Sequence, residues 1–421
     1  MKLKQTLFST FLLATSFQVM AQQKITLNEC YEMARNNYPL IKQKELIIKS
    51  SEYNIANIEK GILPQLNISG QITYQSDVTS IPIKLPNVNI EEPSKTQYKV
   101  VGEVTQTITD LYTVKEQKNL QKANAEVQVQ NWEVEMYKIK DRINQLYFGI
   151  LLVDEQIKLN ELVDVDLQTG MNKITAAIKN GVEYKSSLDK IKAELIKNKQ
   201  RKIELTAQRK VFSDMLGYFI NKSVDEKTTL IKPEAPANTF NITRPELTVF
   251  DKKNKMLDIQ KKIILNRNIP KLSFFFQGGV GNPSPLNMIS AKSAPFYISG
   301  LRLNWSLMNL YTQKKEKALL ENERATNNLQ KETFLFNTNM QVKQQNNELI
   351  KLNELINTDD ELVAIRNSVK NTSKVQLENG IITSNDYIKE VNAEDQARQN
   401  KLLHEIQLLV AQYNLQNTTG N

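Results

Sequence analysis

Two similar stretches, DLYTVKEQK at residues 110–118 and NLYTQKKEK at residues 309–317, lie 199 positions apart in the chain and share five of nine residues. A second pair, KNGVEYKSS at 179–187 and ENGIITSND at 378–386, recurs at the same offset of 199. Convergent helices rich in lysine and glutamate would not reproduce the glycines at one offset. The repeats therefore indicate an internal duplication, with the same order of structural elements in each half.

Each half begins with a helical pattern that a proline ends. Pro64 opens the stretch LPQLNISGQITYQ, and Pro270 opens the matching stretch IPKLSFFFQGG. Proline has no N–H group to donate and a fixed φ angle, so it ends a helix and favours an extended run after it. We therefore expect a strand after each of the two prolines.

Four runs of the sequence alternate between apolar and polar residues, with a period of two that is typical of strands. The apolar members are Leu66, Ile68, Gly70, Ile72 and Tyr74; Tyr98, Val100, Gly102 and Val104; Leu272, Phe274 and Phe276; and Tyr297, Leu301, Leu303 and Trp305. The pattern predicts strands at 65–75, 97–106, 271–279 and 296–305, and Phe275 interrupts it. Each run is about nine or ten residues long, which suits a tilted strand that crosses a membrane.

Four strands alone cannot cross a bilayer, because their open edges would leave backbone groups unpaired in hydrocarbon. Two copies of the chain would supply 8 strands and a filled interior, and three copies would supply 12 strands and a lumen. Alternation alone also fits one face of a soluble sandwich. The aromatic residues near the ends of the runs favour the membrane, because such residues prefer the headgroup zone. They are Tyr74, Tyr98, Tyr297 and Trp305.

Two long proline-free segments, 111–180 and 310–379, predict helices of about 105 Å each. The first segment carries apolar residues at heptad spacing, which predicts that it packs against a neighbouring helix. These residues are Ile139, Ile143, Leu146, Ile150, Val153 and Ile157. Each segment reaches an Asn-Gly pair, at Gly181 or Gly380, and a helical pattern returns over 182–217 or 381–416. We expect two antiparallel helical hairpins whose outgoing helices end at these glycines; a kinked helix is the alternative.

The N-terminus has the form of a secretory signal at 1–21, in which Lys2 and Lys4 precede an apolar run. Its removal lowers the net charge from +9 to +7. Cys30 lies too far from the cleavage site to carry a lipid, so we do not expect a lipoprotein. After the signal we expect a first repeat at 22–221, a linker at 222–243 and a second repeat at 244–421.

Enzyme signals are missing from the sequence. One histidine and one cysteine cannot assemble a usual zinc site or a Cys/His nucleophile pair, and no hydrolase, zincin or phosphate-loop motif occurs. Lysines and acidic residues alternate along the helices instead of forming a basic block. We therefore predict no catalytic, cofactor-binding or metal-binding residue, and no nucleic acid partner.

The duplicated order of helix, L/I-P-x-L strand, strand, long helix, Asn-Gly and return helix resembles the TolC family of outer-membrane efflux and secretion channels. The resemblance covers essentially all of the mature chain. It implies an α+β membrane protein in which long hairpins form an α-barrel in the periplasm and four strands per chain contribute to a trimeric 12-strand transmembrane β-barrel.

The resemblance also places strand-to-helix joints at the repeated LYT motif. The joint residues are Asp110, Leu111, Tyr112, Asn309, Leu310 and Tyr311. The family often has Pro-Leu-Phe followed by Asp-Gly at this joint, and this chain lacks that pattern. Asp110 and Asn309 remain suitable helix N-caps.

By the same resemblance, the hairpin tips at Gly181 and Gly380 mark the periplasmic entrance and the docking ends for an adaptor protein. Some members carry aspartates six and nine residues after the second tip glycine. This chain has Asp386 and Lys389 at those positions. Asp386, repeated by threefold symmetry, predicts a ring that attracts cations, or else serves as a helix N-cap without a gating role.

These features together predict a passive exit duct in the outer membrane with a periplasmic extension. Its expected partners are further copies of itself as a homotrimer, a periplasmic adaptor, an inner-membrane pump of the RND, ABC or MFS type, and outer-membrane lipid. It would serve an efflux or type I secretion system and would need no cofactor. The alternative is a secreted soluble coiled-coil scaffold or periplasmic adaptor, which needs no apolar strand faces of membrane length.

Overall fold

The computed structural model describes residues 24–80, 92–181, 183–225, 228–237 and 239–421, so the expected signal peptide at 1–21 lies outside the described residues. The helices are α1 (Leu27–Asn37), α2 (Ile41–Lys60), α3 (Asp110–Tyr137), α4 (Ile139–Lys179), α5 (Lys185–Ile220), α6 (Pro245–Asn266), α7 (Met308–Glu378) and α8 (Ser384–Thr419). The strands are β1 (Lys24–Ile25), β2 (Gln65–Tyr74), β3 (Thr96–Thr107), β4 (Thr229–Leu230), β5 (Lys271–Asn282) and β6 (Ala294–Asn304).

The chain divides into two compact units. The first, called the hairpin unit, contains the described residues up to Tyr38, Lys138–Thr239 and Lys343–Asn417. The second, called the sheet unit, contains Pro39–Tyr137, Phe240–Val342 and Thr418–Asn421. Each unit draws segments from both sequence repeats.

In the hairpin unit, α4 packs antiparallel along α5, and α1 packs against both helices. The heptad residues of α4 are buried, as packing against a neighbouring helix requires: Ile143 and Ile150 are both fully inaccessible to solvent. β1 pairs with β4 in parallel, and the Tyr147 hydroxyl lies 2.8 Å from the Ile25 carbonyl oxygen of that small sheet. Burial raises the pKa of the Tyr147 hydroxyl, so this hydroxyl remains a hydrogen-bond donor.

In the sheet unit, four strands form an antiparallel sheet in the order β2-β3-β5-β6. β3 and β5 come from different repeats, and their pairing, in which Glu103 is opposite Gln277, joins the two halves. Helix α3 packs against α2 and α6. The helical segments before Pro64 and Pro270 are α2 and α6, and a strand follows each proline.

The structure differs from the expectation of one helix over 111–180. Two helices cover this stretch, α3 and α4, and they are separated at Lys138, whose backbone stays near the helical region at φ −62° and ψ −19°. The break coincides with a change of packing partner, because α3 packs against α2 and α6 whereas α4 packs against α1 and α5. One straight heptad seam cannot serve both sets of neighbours.

Among the residues that the structure describes, no helix combines the length and the apolar character needed to cross a membrane.

Candidate functional site: the sheet faces and the hairpin ends

The two faces of the sheet have opposite chemistry. The register places Leu66 opposite Val104, and Ile68 opposite Gly102, on one face, here called the apolar face. This face is open to solvent in the single chain: Ile68 is 78% exposed. A contiguous exposed apolar surface marks a site that another apolar phase or partner covers.

The opposite face, here called the polar face, carries charges and amides. Glu103 lies opposite Asn67 on β2 and opposite Gln277 on β5. Arg302 of β6 donates a hydrogen bond from a terminal guanidinium nitrogen to Glu103 Oε1 at 3.1 Å. Glu103 and Arg302 are 199 residues apart, the offset of the duplication, so one repeat supplies the acid and the other supplies the base.

Phe275 interrupts the alternation in the sequence because it lies on the polar face. The Arg302 guanidinium lies over its ring, 4.5 Å from the centroid. A cation stacked on the ring covers the aromatic surface in a polar setting. The interruption therefore marks a contact between neighbouring strands, not an error of register.

The sheet has two open edges. β2 and β6 are the outer strands, and each is paired with one neighbour along the described chain. Unpaired strand edges expose backbone N–H and C=O groups that can pair with another chain. The single chain thus supplies a sheet that further strands can extend at both edges.

The four candidate interface aromatics occupy different heights of the sheet. Tyr74 ends β2 and Tyr98 pairs with Ile72 near that same end. Tyr297 pairs with Gly278, which is inside the sheet, and stacks on Phe276. Trp305 follows the last residue of β6, at the end near the helices, and its indole N–H donates to the Asn268 carbonyl at 3.1 Å.

The two strand-to-helix joints differ in detail. Asp110 is the first residue of α3, so the N-cap role expected of it is wrong by one position, and its carboxylate lies 3.3 Å from the Lys271 ammonium. The N-cap role expected of Asn309 is wrong, because α7 already begins at Met308. The Asn309 amide instead donates to the Arg267 carbonyl at 3.1 Å and ties the start of α7 to the end of α6.

The remaining joint residues are largely exposed along the first turns of α3 and α7. They are Leu111, Tyr112, Leu310 and Tyr311. Their apolar side chains point away from the packed surfaces of the single chain, which leaves them available to a neighbour.

Both hairpin tips turn at a glycine with a left-handed backbone. Gly181 has φ +76° and Gly380 has φ +68°, and neither site has an atom within 4 Å of an added Cβ. The Gly380 N–H donates to Leu377 O at 3.1 Å, and the Ile381 N–H donates to Gln376 O at 2.9 Å. This pair of bonds is a Schellman motif, which needs a residue that tolerates positive φ. Glycine is therefore required by the turn itself.

Asp386 forms a capping box with Thr383 at the start of α8. The Asp386 carboxylate accepts hydrogen bonds from the Thr383 backbone N–H at 3.2 Å and from its hydroxyl at 2.6 Å. The Asp386 N–H donates to the Thr383 hydroxyl oxygen at 3.3 Å. Thr383 is thus the N-cap and Asp386 the third residue of the helix, so the expectation of Asp386 as the N-cap itself is wrong by three positions.

Lys389 places a positive charge beside the Asp386 carboxylate. Its ammonium lies 3.8 Å from the Asp386 carboxylate, one turn along α8, and both side chains are at least half exposed. The Thr383 hydroxyl and backbone N–H, followed by the Lys389 charge, hold the pKa of Asp386 below its usual value. The carboxylate is therefore ionised at neutral pH, with a cation beside it.

Just inside the tips, the two hairpins meet in a small apolar cluster. Tyr387 is buried against Gly170, where an added Cβ would lie 3.0 Å from the tyrosine ring and 2.9 Å from Ile191. The cluster consists of Leu167, Ile174, Ile191, Tyr387, Ile388 and Val391. Burial raises the pKa of Tyr387 to about 12, so its hydroxyl stays neutral.

Lys370 links the hairpins by charge. Its ammonium lies 2.9 Å from Asp166 on α4 and 3.3 Å from Glu394 on α8. Sequence reasoning missed this residue, because nothing in the local pattern indicates which distant acids meet it. Thr383 was also missed, although T-S-N-D at 383–386 is a capping-box pattern that sequence can reveal.

Comparison with known proteins agrees with this geometry. Residues 30–214 match the family model described as outer membrane efflux protein. This match covers 185 of the 421 residues, so that part of the chain is similar to outer membrane efflux proteins.

Solved structures of low sequence identity share its fold. CusC, described as forming a transmembrane channel, superposes with a TM-score of 0.71 at 11% identity, over 93% of this chain and 91% of that chain. VceC of Vibrio cholerae has a TM-score of 0.67 at 10% identity, over 94% and 96%. MtrE of Neisseria gonorrhoeae, described as an outer membrane channel, has a TM-score of 0.66 at 12% identity, over 94% and 89%.

No curated protein matches the sequence. The structural likeness extends over nearly the whole chain, and the predicted fold class of long helical hairpins joined to a four-stranded sheet, in the manner of TolC-like channels, is confirmed.

Proposed function

We propose that the chain is the passive exit duct of a tripartite efflux or type I secretion system, and that three copies form it. The exposed apolar face of the sheet carries this proposal. Its side chains are uncovered in the single chain, whereas the opposite face holds Glu103 and Arg302. A membrane β-barrel requires this arrangement, with apolar side chains toward lipid and polar side chains toward the lumen.

Closure by three copies follows from the open edges. β2 and β6 need partners, because unpaired backbone groups are costly in hydrocarbon. Two copies would give 8 strands and a filled interior, and three would give 12 strands around a lumen. A duct needs the lumen, so we propose the trimer.

The hairpin tips are the proposed docking ends for a periplasmic adaptor, which in turn joins an inner-membrane pump of the RND, ABC or MFS type. Gly181 and Gly380 set the two turns. Beside them, Tyr184 is 81% exposed and Ile381 is 70% exposed. Exposed apolar side chains at a turn supply contact area for a partner helix.

Asp386 and Lys389 are the proposed charges of the periplasmic entrance. Three copies would place three such pairs around one axis, which gives a mixed ring instead of a purely acidic one. Because the Asp386 carboxylate is held in the capping box, its charge has a fixed position. A fixed carboxylate attracts cations, and Lys389 weakens that attraction.

The test is to express the full chain with its own N-terminus, separate inner and outer membranes, and reconstitute the purified outer-membrane fraction in planar bilayers. The duct predicts stable ion conductance from that fraction. A protein that remains soluble in the periplasm and gives no conductance would contradict the proposal and favour the soluble scaffold.

A further inference from the structure

The connection between β5 and β6, residues 283–293, is here called the strap. It forms part of a pocket of about 300 Å³ together with Gln71, Gln97 and Lys99. The register pairs Gln71 with Lys99. This pair lies four residues along the strands from the pair of Asn67 with Glu103, and an even spacing puts both pairs on the polar face. Because Met288 lines the same pocket, the strap folds back over the polar face of the sheet.

Close contacts hold the strap in this position. An added Cβ at Gly281 would lie 2.9 Å from the Pro283 carbonyl oxygen and 3.2 Å from Pro285 Cδ, so the strap rests directly on the strand. Within the strap, the Asn287 N–H donates to Ser284 O at 2.9 Å. Ser284 itself is buried. The strap is thus a packed turn on the sheet.

The strap carries three large apolar side chains, and one of them, Met288, borders the polar face. Leu286 is 63% exposed, Met288 is 59% exposed and Ile289 is 45% exposed. Packing within the single chain does not account for them, because they do not enter a core. Apolar side chains that project into a water-filled passage form a constriction that impedes ions.

We infer that the strap forms an apolar constriction at the outer end of the duct, with Met288 in the path of the cargo. The inference rests on the proposed function, because the polar face lines a lumen only if the copies close a barrel. The constriction lowers the passage of hydrated ions and admits molecules with apolar surface. The apolar side chains of Leu286, Met288 and Ile289 then select which molecules leave the duct.

The first test uses single-channel recording of the full chain carrying Met288→Cys, treated from the outer side with a positively charged methanethiosulfonate reagent. The native Cys30 is buried, and burial raises the pKa of its thiol to about 12, so it does not compete for the reagent. We expect conductance to fall in steps, one for each modified copy. Labelling of the new cysteine without a change in conductance, or no labelling from the outer side, would overturn the inference.

The second test removes the constriction by two independent routes. The triple variant Leu286→Ser, Met288→Ser, Ile289→Ser removes its apolar surface, and Gly281→Ala displaces the strap from the strand. Each should raise the conductance about twofold or more. Gly70→Ala is the matched control, because an added Cβ there has no atom within 4 Å, and it should conduct like the wild type.

The outcomes separate the two proposals. If the wild type conducts and neither variant changes its conductance, the proposed constriction is wrong and the proposed duct stands. Wild-type protein without any conductance would overturn both.

Discussion

The first and second hairpins share a backbone plan, but their buried polar groups differ. Asn160 and Asp359 occupy positions 199 residues apart, on α4 and α7, and both are buried. The Asn160 amide donates to Asn198 O at 3.2 Å, whereas Asp359 Oδ2 lies 2.6 Å from His404 Nδ1. The two repeats thus share the place of a buried polar group, but one holds an amide pair and the other holds an acid and an imidazole.

The hairpin tips differ in the same way. Both turn at a left-handed glycine, but α8 begins with the Thr383–Asp386 capping box, and the N-cap of α5, Tyr184, makes no side-chain cap bond. Both copies thus share the left-handed turn, but their carboxylates are held differently: Asp386 belongs to a capping box, whereas Glu183 at the first tip accepts from the Tyr184 N–H at 3.1 Å and the Ser187 hydroxyl at 2.8 Å. Variants at matched positions of the two repeats therefore test whether these differences matter for stability and conductance.

The largest effect is expected where the two repeats join. An added Cβ at Gly279 of β5 would lie 2.1 Å from the Val100 carbonyl oxygen of β3, so Gly279→Ala must separate the paired strands. We expect a loss of about 3 kcal/mol or more in the free energy of unfolding, and little assembled protein in the outer membrane. Thermal unfolding in detergent and the yield of assembled protein measure it.

Gly70→Ala in β2 is the control from the first repeat, because that site is open. It should change the free energy of unfolding by less than about 0.5 kcal/mol. Equal yields of the Gly279 and Gly70 variants would contradict the close approach of β3 and β5.

The second largest effect compares the buried polar groups. Asp359→Ala leaves the His404 ring without its acceptor and should cost about 2 kcal/mol in unfolding free energy. Asn160→Ala should cost about 1 kcal/mol, because the Asn198 amide still donates to the Asn160 backbone carbonyl at 3.1 Å. Chemical denaturation in detergent measures both.

Asp359→Asn is the conservative control, since it keeps an oxygen acceptor for His404. It should fall between wild type and Asp359→Ala. A larger cost for Asn160→Ala than for Asp359→Ala would reverse the comparison.

Hydrophobic periodicity and the positions of proline and glycine predict much of this architecture. Each of these residues acts through its own backbone conformation, as at Pro64, Pro270, Gly181 and Gly380. Contacts between distant residues were beyond that reasoning. Phe275 breaks the alternation in the sequence, and its reason, the Arg302 guanidinium over its ring, lies on a neighbouring strand. The break between α3 and α4 at Lys138 was missed for the same reason, because it follows a change of packing partner and no proline or glycine marks it.

A smaller effect is expected at the tips. Thr383→Ala removes the N-cap of α8 and should cost about 1 kcal/mol, which is about a fivefold rise in amide exchange at Asp386 and Tyr387. Tyr184→Ala should leave exchange at the start of α5 unchanged, because Tyr184 makes no side-chain cap bond. Hydrogen exchange followed by mass spectrometry compares the two.

The same cap depends on pH. The Thr383 bonds hold the pKa of Asp386 below its usual 3.8, so the stabilisation is present above that value and is lost as the pH falls through the lower, folded-state value. Amide exchange at the start of α8, corrected for intrinsic rates, should therefore rise on acidification below about pH 4. Persistence of the same rise in Asp386→Asn would remove Asp386 as its cause.

The smallest effect concerns the entrance charge. Asp386→Asn keeps an acceptor for Thr383 but removes the carboxylate, and it should weaken block by multivalent cations from the periplasmic side by less than about tenfold, since the attraction of an exposed charge is reduced by water and salt. Lys389→Ala should strengthen the block, because it removes the neighbouring cation. Single-channel recordings with unchanged block in both variants would show that Asp386 only caps the helix.

We propose that three copies of this duplicated chain close one duct. The protein mass of the detergent-solubilised particle from the outer membrane, determined by light scattering with the detergent contribution subtracted, tests this proposal. We expect the mass of three chains. The mass of one chain, or of two, would contradict it, because neither supplies enough strands to close a barrel around a lumen.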